Sequence, residues 1–212
     1  MFDTTALAVK TDGTLWGWGS NIGITLNTGE EGTKSSPVQI GAGTTWKSVS
    51  VGSGFALATR TDNTLWAWGL NTYGQLGDST TITKSSPTQI GSLSNWKQIA
   101  TQGNSSAVIK TDGTLWTWGF NANGELGQGN STNRSSPVQV GTETNWSAIA
   151  AGSSTFIAVK TDGTLWAWGS NAYGQIGNST TVNASSPVQI GTYKGWDKVA
   201  AGPMTVFAIT KP

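Results

Sequence analysis

The stretch Thr11-Asp12-Gly13-Thr14-Leu15-Trp16-Gly17-Trp18-Gly19 occurs four times in the chain, at a fixed spacing of 50 residues. The later copies read TDNTLWAWG from 61, TDGTLWTWG from 111 and TDGTLWAWG from 161. A Ser-Ser-Pro triplet at 35, 85, 135 and 185 and a single tryptophan at 46, 96, 146 and 196 keep the same spacing. Self-similarity at one fixed period indicates stacked copies of one supersecondary unit.

One unit of the repeat is predicted to form four short strands. In the first complete unit they span 46–51, 55–60, 64–68 and 87–90, which are rich in β-branched or aromatic residues and bounded by turn formers. The Asp-Gly pair between the second and third strands predicts a tight hairpin whose central residue has a positive φ, and Asn63 suits the same conformation. Leu65 and Ala67 point to one face and Trp66 and Trp68 to the other, so we expect neighbouring units to stack on both faces.

These features predict an all-β protein, a β-propeller built of four-stranded antiparallel blades from four 50-residue repeats. We expect one repeat domain over residues 1–212. Its predicted parts are repeats at about 1–45, 46–95, 96–145 and 146–195, and closing strands at 196–212.

The two ends of the chain leave the predicted assembly open. Strand 5–10 lacks the tryptophan strand that precedes it in the other repeats, strand 196–201 is a copy of that missing strand, and strand 205–210 duplicates 5–10. A closed four-blade ring, two chains that share a ring of about eight blades, and an open arc docked on a larger structure all agree with this count.

Composition excludes several classes of function. Charged residues make up 11% of the chain, against roughly 25% in ordinary domains, and a net charge of +1 without a basic stripe argues against nucleic acid. The absence of His and Cys removes the commonest metal ligands and the Ser-His and Cys-His nucleophile pairs. We therefore expect no metal site, no cofactor and no enzymatic activity.

The sequence contains no apolar run of membrane-span length, and residues 1–20 do not resemble a signal peptide. We expect no membrane insertion and synthesis in the cytoplasm, with the final location, including a virion or a cell surface, left open.

A second set of repeated motifs carries a family resemblance. After each Leu-Trp-x-Trp-Gly comes an Asn-x-x-Gly-Gln-Leu-Gly element, at 71–77, at 121–127 with Glu125, and at 171–177 with Ile176. Over essentially its whole length the chain resembles the regulator of chromosome condensation repeat family, of the type found in bacteria and phages. The resemblance implies a β-propeller, typically of seven blades, that presents loops to protein partners.

Two departures from the family pattern limit what it implies here. The chain has four repeats rather than seven, and the first repeat loses the loop motif at 21–27. Members of the family include an exchange factor for a small GTPase and inhibitors of β-lactamase, but no loop of this chain matches the residues with which they bind their partners.

The tryptophans are predicted to be structural, because all twelve belong to the repeat and none is left for a unique site. The predicted structural set is Trp16, Trp18, Trp46, Trp66, Trp68, Trp96, Trp116, Trp118, Trp146, Trp166, Trp168 and Trp196.

Partner contacts are expected instead where the repeats differ. These positions are the long loops at 22–33, 72–83, 122–133 and 172–183 and the short loops at 42–45, 92–95, 142–145 and 192–195. Within or beside them, the candidate partner-binding residues are Tyr73, Tyr173, Tyr193, Lys84 and Arg134, the tyrosines because such side chains often dominate binding energies.

The sequence thus predicts a non-enzymatic interaction module that binds a protein partner through its inter-strand loops, with a homo-oligomer or a larger assembly as a further possibility. The alternative is a structural or adhesive component of a phage virion or a bacterial cell surface, with glycan binding included.

Overall fold

The computed structural model describes residues 5–21, 26, 32–202 and 205–210 of the 212-residue chain. Within these residues the secondary structure consists of seventeen β-strands, and no helix is long and apolar enough to cross a membrane. The strands form five antiparallel sheets, numbered 1 to 5 along the chain.

Three of the sheets have four strands in chain order, and the first and last are smaller. Sheet 1 contains β1 (Ala6–Val9), β2 (Leu15–Gly19) and β3 (Lys34–Gln39). Sheet 2 contains β4 (Trp46–Val51), β5 (Phe55–Arg60), β6 (Leu65–Gly69) and β7 (Lys84–Gln89). Sheet 3 contains β8 (Trp96–Gln102), β9 (Ser105–Lys110), β10 (Leu115–Gly119) and β11 (Arg134–Gln139). Sheet 4 contains β12 (Trp146–Ala151), β13 (Thr155–Lys160), β14 (Leu165–Gly169) and β15 (Ala184–Gln189), and sheet 5 contains β16 (Trp196–Gly202) and β17 (Thr205–Thr210).

The predicted hairpin joins the second and third strands of each four-stranded sheet, and in sheet 1 it joins β1 and β2. Its central residue has a positive φ in every copy, between 60° and 78° at Gly13, Asn63, Gly113 and Gly163. The preceding aspartate fixes the turn: Asp112 Oδ1 accepts hydrogen bonds from Thr114 N at 3.0 Å and from Thr114 Oγ1 at 2.6 Å. The same pair of bonds recurs in the other three hairpins.

Both faces of the sheets are apolar, as expected for stacked units. Trp68 is fully buried in a cluster with Leu15 and Ile40 of the preceding sheet, whereas Leu65 and Ala67 pack against Trp118 of the following sheet. Clusters of the same kind fill the junctions between sheets 3 and 4 and between sheets 4 and 5. The hydrophobic core is therefore a series of layers between sheets rather than one central mass.

The first strands of successive sheets lie next to one another, from β4 through β8 and β12 to β16. Strand β16 pairs with β17 rather than with β1. Over the described residues, sheets 1 and 5 make no extensive strand contact with each other. The five sheets thus stack one after another in chain order, and sheet 1 has three strands among the described residues.

Candidate functional site: loops and grooves between the sheets

The long loop that joins the third and fourth strands of a sheet is organised by a buried asparagine. Asn71 Oδ1 accepts a hydrogen bond from Leu76 N at 3.0 Å, and its Nδ2 donates to Thr80 O at 3.1 Å and to Ile82 O at 3.2 Å. Asn121 and Asn171 make the corresponding bonds in sheets 3 and 4. One side chain thereby fixes both halves of each loop, because it satisfies backbone groups on either side.

The same loop also holds the next sheet. Gln75 O accepts a hydrogen bond from the indole Nε1 of Trp118 at 2.9 Å, and Ser79 N donates to Ser135 O at 2.8 Å. One repeat later, Glu125 O accepts from Trp168 at 2.9 Å and Gly129 N donates to Ser185 O at 2.7 Å. We call the loops at 70–83 and 120–133 clasps, because their backbones join adjacent sheets. Most of loop 22–33 lies outside the described residues.

The predicted tyrosines lie on these loops in different surroundings. Tyr73 is 37% exposed and packs edge-on against Phe120, with ring centroids 5.0 Å apart. Tyr173 stands at the same position of sheet 4 and is 78% exposed. Tyr193, on a short loop, packs against Trp196 with centroids 5.5 Å apart. The structure therefore distributes the three tyrosines over the loops rather than gathering them in one cluster.

The two basic candidates begin the fourth strands of sheets 2 and 3. Lys84 Nζ lies 3.4 Å from the carboxylate of Asp78 in its own clasp. Arg134 is half-buried, and its Nε donates no hydrogen bond within the described part of the chain. Lys84 is thus engaged within its own sheet.

Asp78 is held by its neighbours as well. Burial acts to raise the pKa of Asp78, but hydrogen bonds from Thr80 and Asn71 together with Lys84 outweigh it, so the pKa lies below its ordinary value of 3.8. Within the described residues, no three acidic side chains gather into a cluster that suits a metal ion.

A cation that lies over the rings of two tryptophans recurs between the hairpin and the first strand, and the two rings are nearly perpendicular in sheets 2 and 4. We call each cation with its two rings a Trp-cation cluster. Lys110 Nζ lies 4.6 Å from the ring centroid of Trp96 and 3.7 Å from that of Trp116. Lys160 Nζ lies over the rings of Trp146 and Trp166 in the same way, at 4.7 Å and 3.6 Å from their centroids. The Arg60 guanidinium lies over the rings of Trp46 and Trp66. Cations at this distance from indole faces are attracted by the ring quadrupole. The sequence prediction missed these Trp-cation clusters. The signal was present, because a Lys or Arg at 10, 60, 110 and 160 keeps the 50-residue spacing.

Two grooves open beside these Trp-cation clusters, at corresponding positions between neighbouring sheets. The groove between sheets 2 and 3 has a volume of about 440 Å³ and is lined by Asp78, Ile90, Leu93, Trp96, Lys110, Trp116 and Pro137, among others. The groove between sheets 3 and 4 has about 310 Å³ and is lined by Gln128, Val140, Glu143, Trp146, Trp166 and Pro187, among others. The two grooves differ at several positions. The clasp residue is Asp78 in the first and Gln128 in the second, and the short-loop residue is Leu93 in the first and Glu143 in the second. Lys110 lines the first groove, whereas Lys160 lies beside the second.

The repeat that produces this geometry matches a known family. Residues 62–109, 112–159 and 162–209 match the regulator of chromosome condensation (RCC1) repeat, and a second form of the same repeat matches 46–75 and 146–175. The chain belongs to the RCC1 repeat family. The match and the sheet pattern confirm the predicted repeat family and the predicted fold class. A comparison of the sequence with curated proteins finds no match.

Three solved structures superimpose on nearly the whole chain. Human WBSCR16 gives a TM-score of 0.88 at 24% identity, covering 100% of this chain and 57% of that one. Yeast RCC1 (Prp20), in its complex with Kap60, gives 0.83 at 20% identity, covering 98% and 52%. Prp20p from Saccharomyces cerevisiae gives 0.71 at 16% identity, covering 99% and 68%. The chain spans a little over half the length of the first two, and at these identities the likeness shows the RCC1 fold.

Proposed function

We propose that this RCC1-repeat chain is a non-enzymatic interaction module that binds a protein partner through side chains on its inter-strand loops. One observation carries the proposal: the exposed large apolar side chains of sheets 2 and 4 occupy the same loop positions. These residues are Tyr73, Ile82 and Leu93 in sheet 2 and Tyr173, Val182 and Tyr193 in sheet 4. At the equivalent positions sheet 3 carries Asn123, Thr132 and Glu143.

The loops present these side chains from a fixed backbone. The buried Asn71 and Asn171 hold both halves of their loops, so the backbone around Tyr73 and Tyr173 is ordered before a partner arrives. Preordering lowers the entropic cost of association. Exposed aromatic side chains on such a support are effective anchors for binding another protein.

The superimposed structures support the class of function. One shows yeast RCC1 bound to Kap60, and another study concerns the binding of Prp20p to Gsp1p and histones. These are partners of those proteins, and with this chain spanning only part of their length we carry over protein binding alone. A bacterial or phage origin of the chain stays a prediction from its sequence.

The test is affinity capture from the cells that encode the chain, with variants that copy sheet 3. Tyr73→Asn with Ile82→Thr changes the long loop of sheet 2, and Tyr173→Asn with Val182→Thr changes that of sheet 4. Because sheet 3 carries Asn123 and Thr132 at these positions, the fold accepts the new residues. We expect at least one pair to reduce recovery of a defined partner about tenfold, which corresponds to about 1.4 kcal/mol.

The matched control is Asn123→Ser with Thr132→Ser, which changes the same positions in sheet 3 and is expected to leave capture unchanged. Equal capture by wild type and both loop variants, at unchanged melting temperature, would disprove the proposal. Recovery only in purified virions or cell-surface fractions would favour the structural or adhesive alternative instead.

A further inference from the structure

We propose that the groove between sheets 2 and 3 binds a glutamate side chain of the protein partner, whose carboxylate pairs with Lys110. The proposal rests on the protein-binding function above and names the chemistry that one part of the partner must have.

The neighbouring groove shows the interaction within this chain. Lys160 Nζ lies 2.6 Å from the carboxylate of Glu143, and the same ammonium lies over the rings of Trp146 and Trp166. The lysine is 4% exposed, whereas the glutamate reaches it from the solvent side and is about half-exposed. A carboxylate on a side chain of glutamate length therefore fits this cation from outside the groove.

Lys110 occupies the same position without a carboxylate. It is 5% exposed, and its ammonium lies over the rings of Trp96 and Trp116. The chain places Leu93 where the other groove has Glu143, and none of the described carboxylates lies within ion-pair distance of the Lys110 ammonium. A buried charge is unfavourable unless it is paired, and the two indole faces compensate only in part.

The titration behaviour of Lys110 agrees with this geometry. Desolvation lowers the pKa of Lys110 below its ordinary value of 10.5, against the opposing charge of Asp112. A carboxylate that enters the groove would restore the missing counter-charge and raise this pKa.

Apolar residues line the groove beside the Lys110 ammonium. Its walls include Ile90, Leu93 and Pro137, which suit the methylene stem of a glutamate. The other charged group in its lining is Asp78, whose Oδ1 accepts hydrogen bonds from Asn71 and Thr80 while its Oδ2 faces Lys84. Asp78 is thus already neutralised, and Lys110 is the cation left for the ligand.

The experiment uses two blocked peptides, N-acetyl-Ala-Glu-Ala-amide and its Gln counterpart, titrated into the full chain with ¹³C-labelled lysine. NMR shifts of the Lys110 side chain report binding at this groove. We expect the Glu peptide to bind at least tenfold more tightly than the Gln peptide, and to raise the pKa of Lys110.

Four variants, chosen from residues that other repeats carry or that remove the charge, test the site. Leu93→Glu supplies the internal partner that Lys160 already has, and should abolish peptide binding. Glu143→Leu opens the neighbouring groove, and should create a second site reported by Lys160. Lys110→Arg should retain binding, because Arg60 fills this position in sheet 2, whereas Lys110→Met should lose it.

Several outcomes overturn the proposal: equal shifts with the two peptides, unchanged binding by Leu93→Glu, or equally effective displacement of the Glu peptide by chloride at the same concentration. Its failure is distinguishable from that of the proposed function. If the peptides do not bind but the long-loop variants still lose their partner, the groove assignment fails and the interaction module stands.

Discussion

Each hairpin contains a short chain of hydrogen bonds that begins at its aspartate. Asp112 accepts from the hydroxyl of Thr114, and that hydroxyl accepts from the indole Nε1 of Trp116 at 2.8 Å. Hydrogen bonds from the Thr114 hydroxyl and backbone N–H lower the pKa of Asp112 below its ordinary value of 3.8. The pKa values of Asp12, Asp62 and Asp162 are lowered in the same way. The four carboxylates therefore act as turn residues, each in its own sheet.

A pH dependence follows from these lowered pKa values. A carboxylate whose pKa is lower in the folded state stabilises the fold above its unfolded pKa, near 3.9, and this contribution is lost as the pH falls through the folded pKa. We expect the melting temperature to fall as the pH drops from about 5 through the lowered pKa values of the four aspartates. A variant with Asn at all four hairpin positions should melt lower at pH 7 and show a shallower decline. Parallel curves for the two proteins, measured by circular dichroism, would contradict this assignment.

At the scale of strands and loops, the sequence predicted regular elements better than it predicted contacts. Strands β4 and β5 have the predicted bounds, because Gly52 and Gly54 separate the two strands and the Asp62-Asn63 hairpin ends β5. Strand β7 begins at Lys84 rather than Pro87, because Lys84 pairs with Gly69 of β6 beyond a register shift that the sequence did not indicate. The long loops were predicted as variable surfaces, and the clasp contacts made by their backbones could not be derived from side-chain variability.

The buried asparagine of a clasp should matter more for stability than the exposed residues around it. Asn121→Ala removes the acceptor for Leu126 N and the donor for Asn130 O and Thr132 O. Leaving buried backbone groups unpaired costs about 1–3 kcal/mol each, so we expect a loss of about 3 kcal/mol.

Urea unfolding measures this loss, and Asn123→Ala is the control in the same loop, because Asn123 is only half-buried. Its expected cost is below about 1 kcal/mol. Similar losses for the two variants would show that the clasp does not depend on the buried amide.

At the scale of the whole molecule, the first and last sheets each have an apolar face that is uncovered by any other described sheet. Trp18 is half-buried on sheet 1, whereas its equivalents Trp68, Trp118 and Trp168 are buried against a preceding sheet. At the other end, Phe207 and Ile209 of β17 are exposed. Whether one chain or two form the assembly stays a prediction. It depends on what covers these two faces, and the spacing of the repeats does not determine that.

Two tryptophan variants of the 212-residue chain test whether the face of sheet 1 is covered in solution. Trp118→Ala should cost about 3–5 kcal/mol, as is usual for a buried tryptophan, and Trp18→Ala about 1 kcal/mol or less if its face is free in solution. Thermal melts compare the two, and light scattering of the wild type gives the mass. A mass near 22.0 kDa together with equal losses would contradict the uncovered face.

The clasps also determine when each sheet can finish folding during synthesis. The carbonyl of Gln75 can accept its hydrogen bond only after Trp118 has been synthesised, and the carbonyl of Glu125 only after Trp168. In both cases the tryptophan lies 43 residues further along the chain. At about 5–20 residues per second, a ribosome needs about 2–9 seconds to add that length. Each sheet of the nascent protein is therefore completed only while the following repeat is being translated, so its outward face stays accessible to chaperones for that interval.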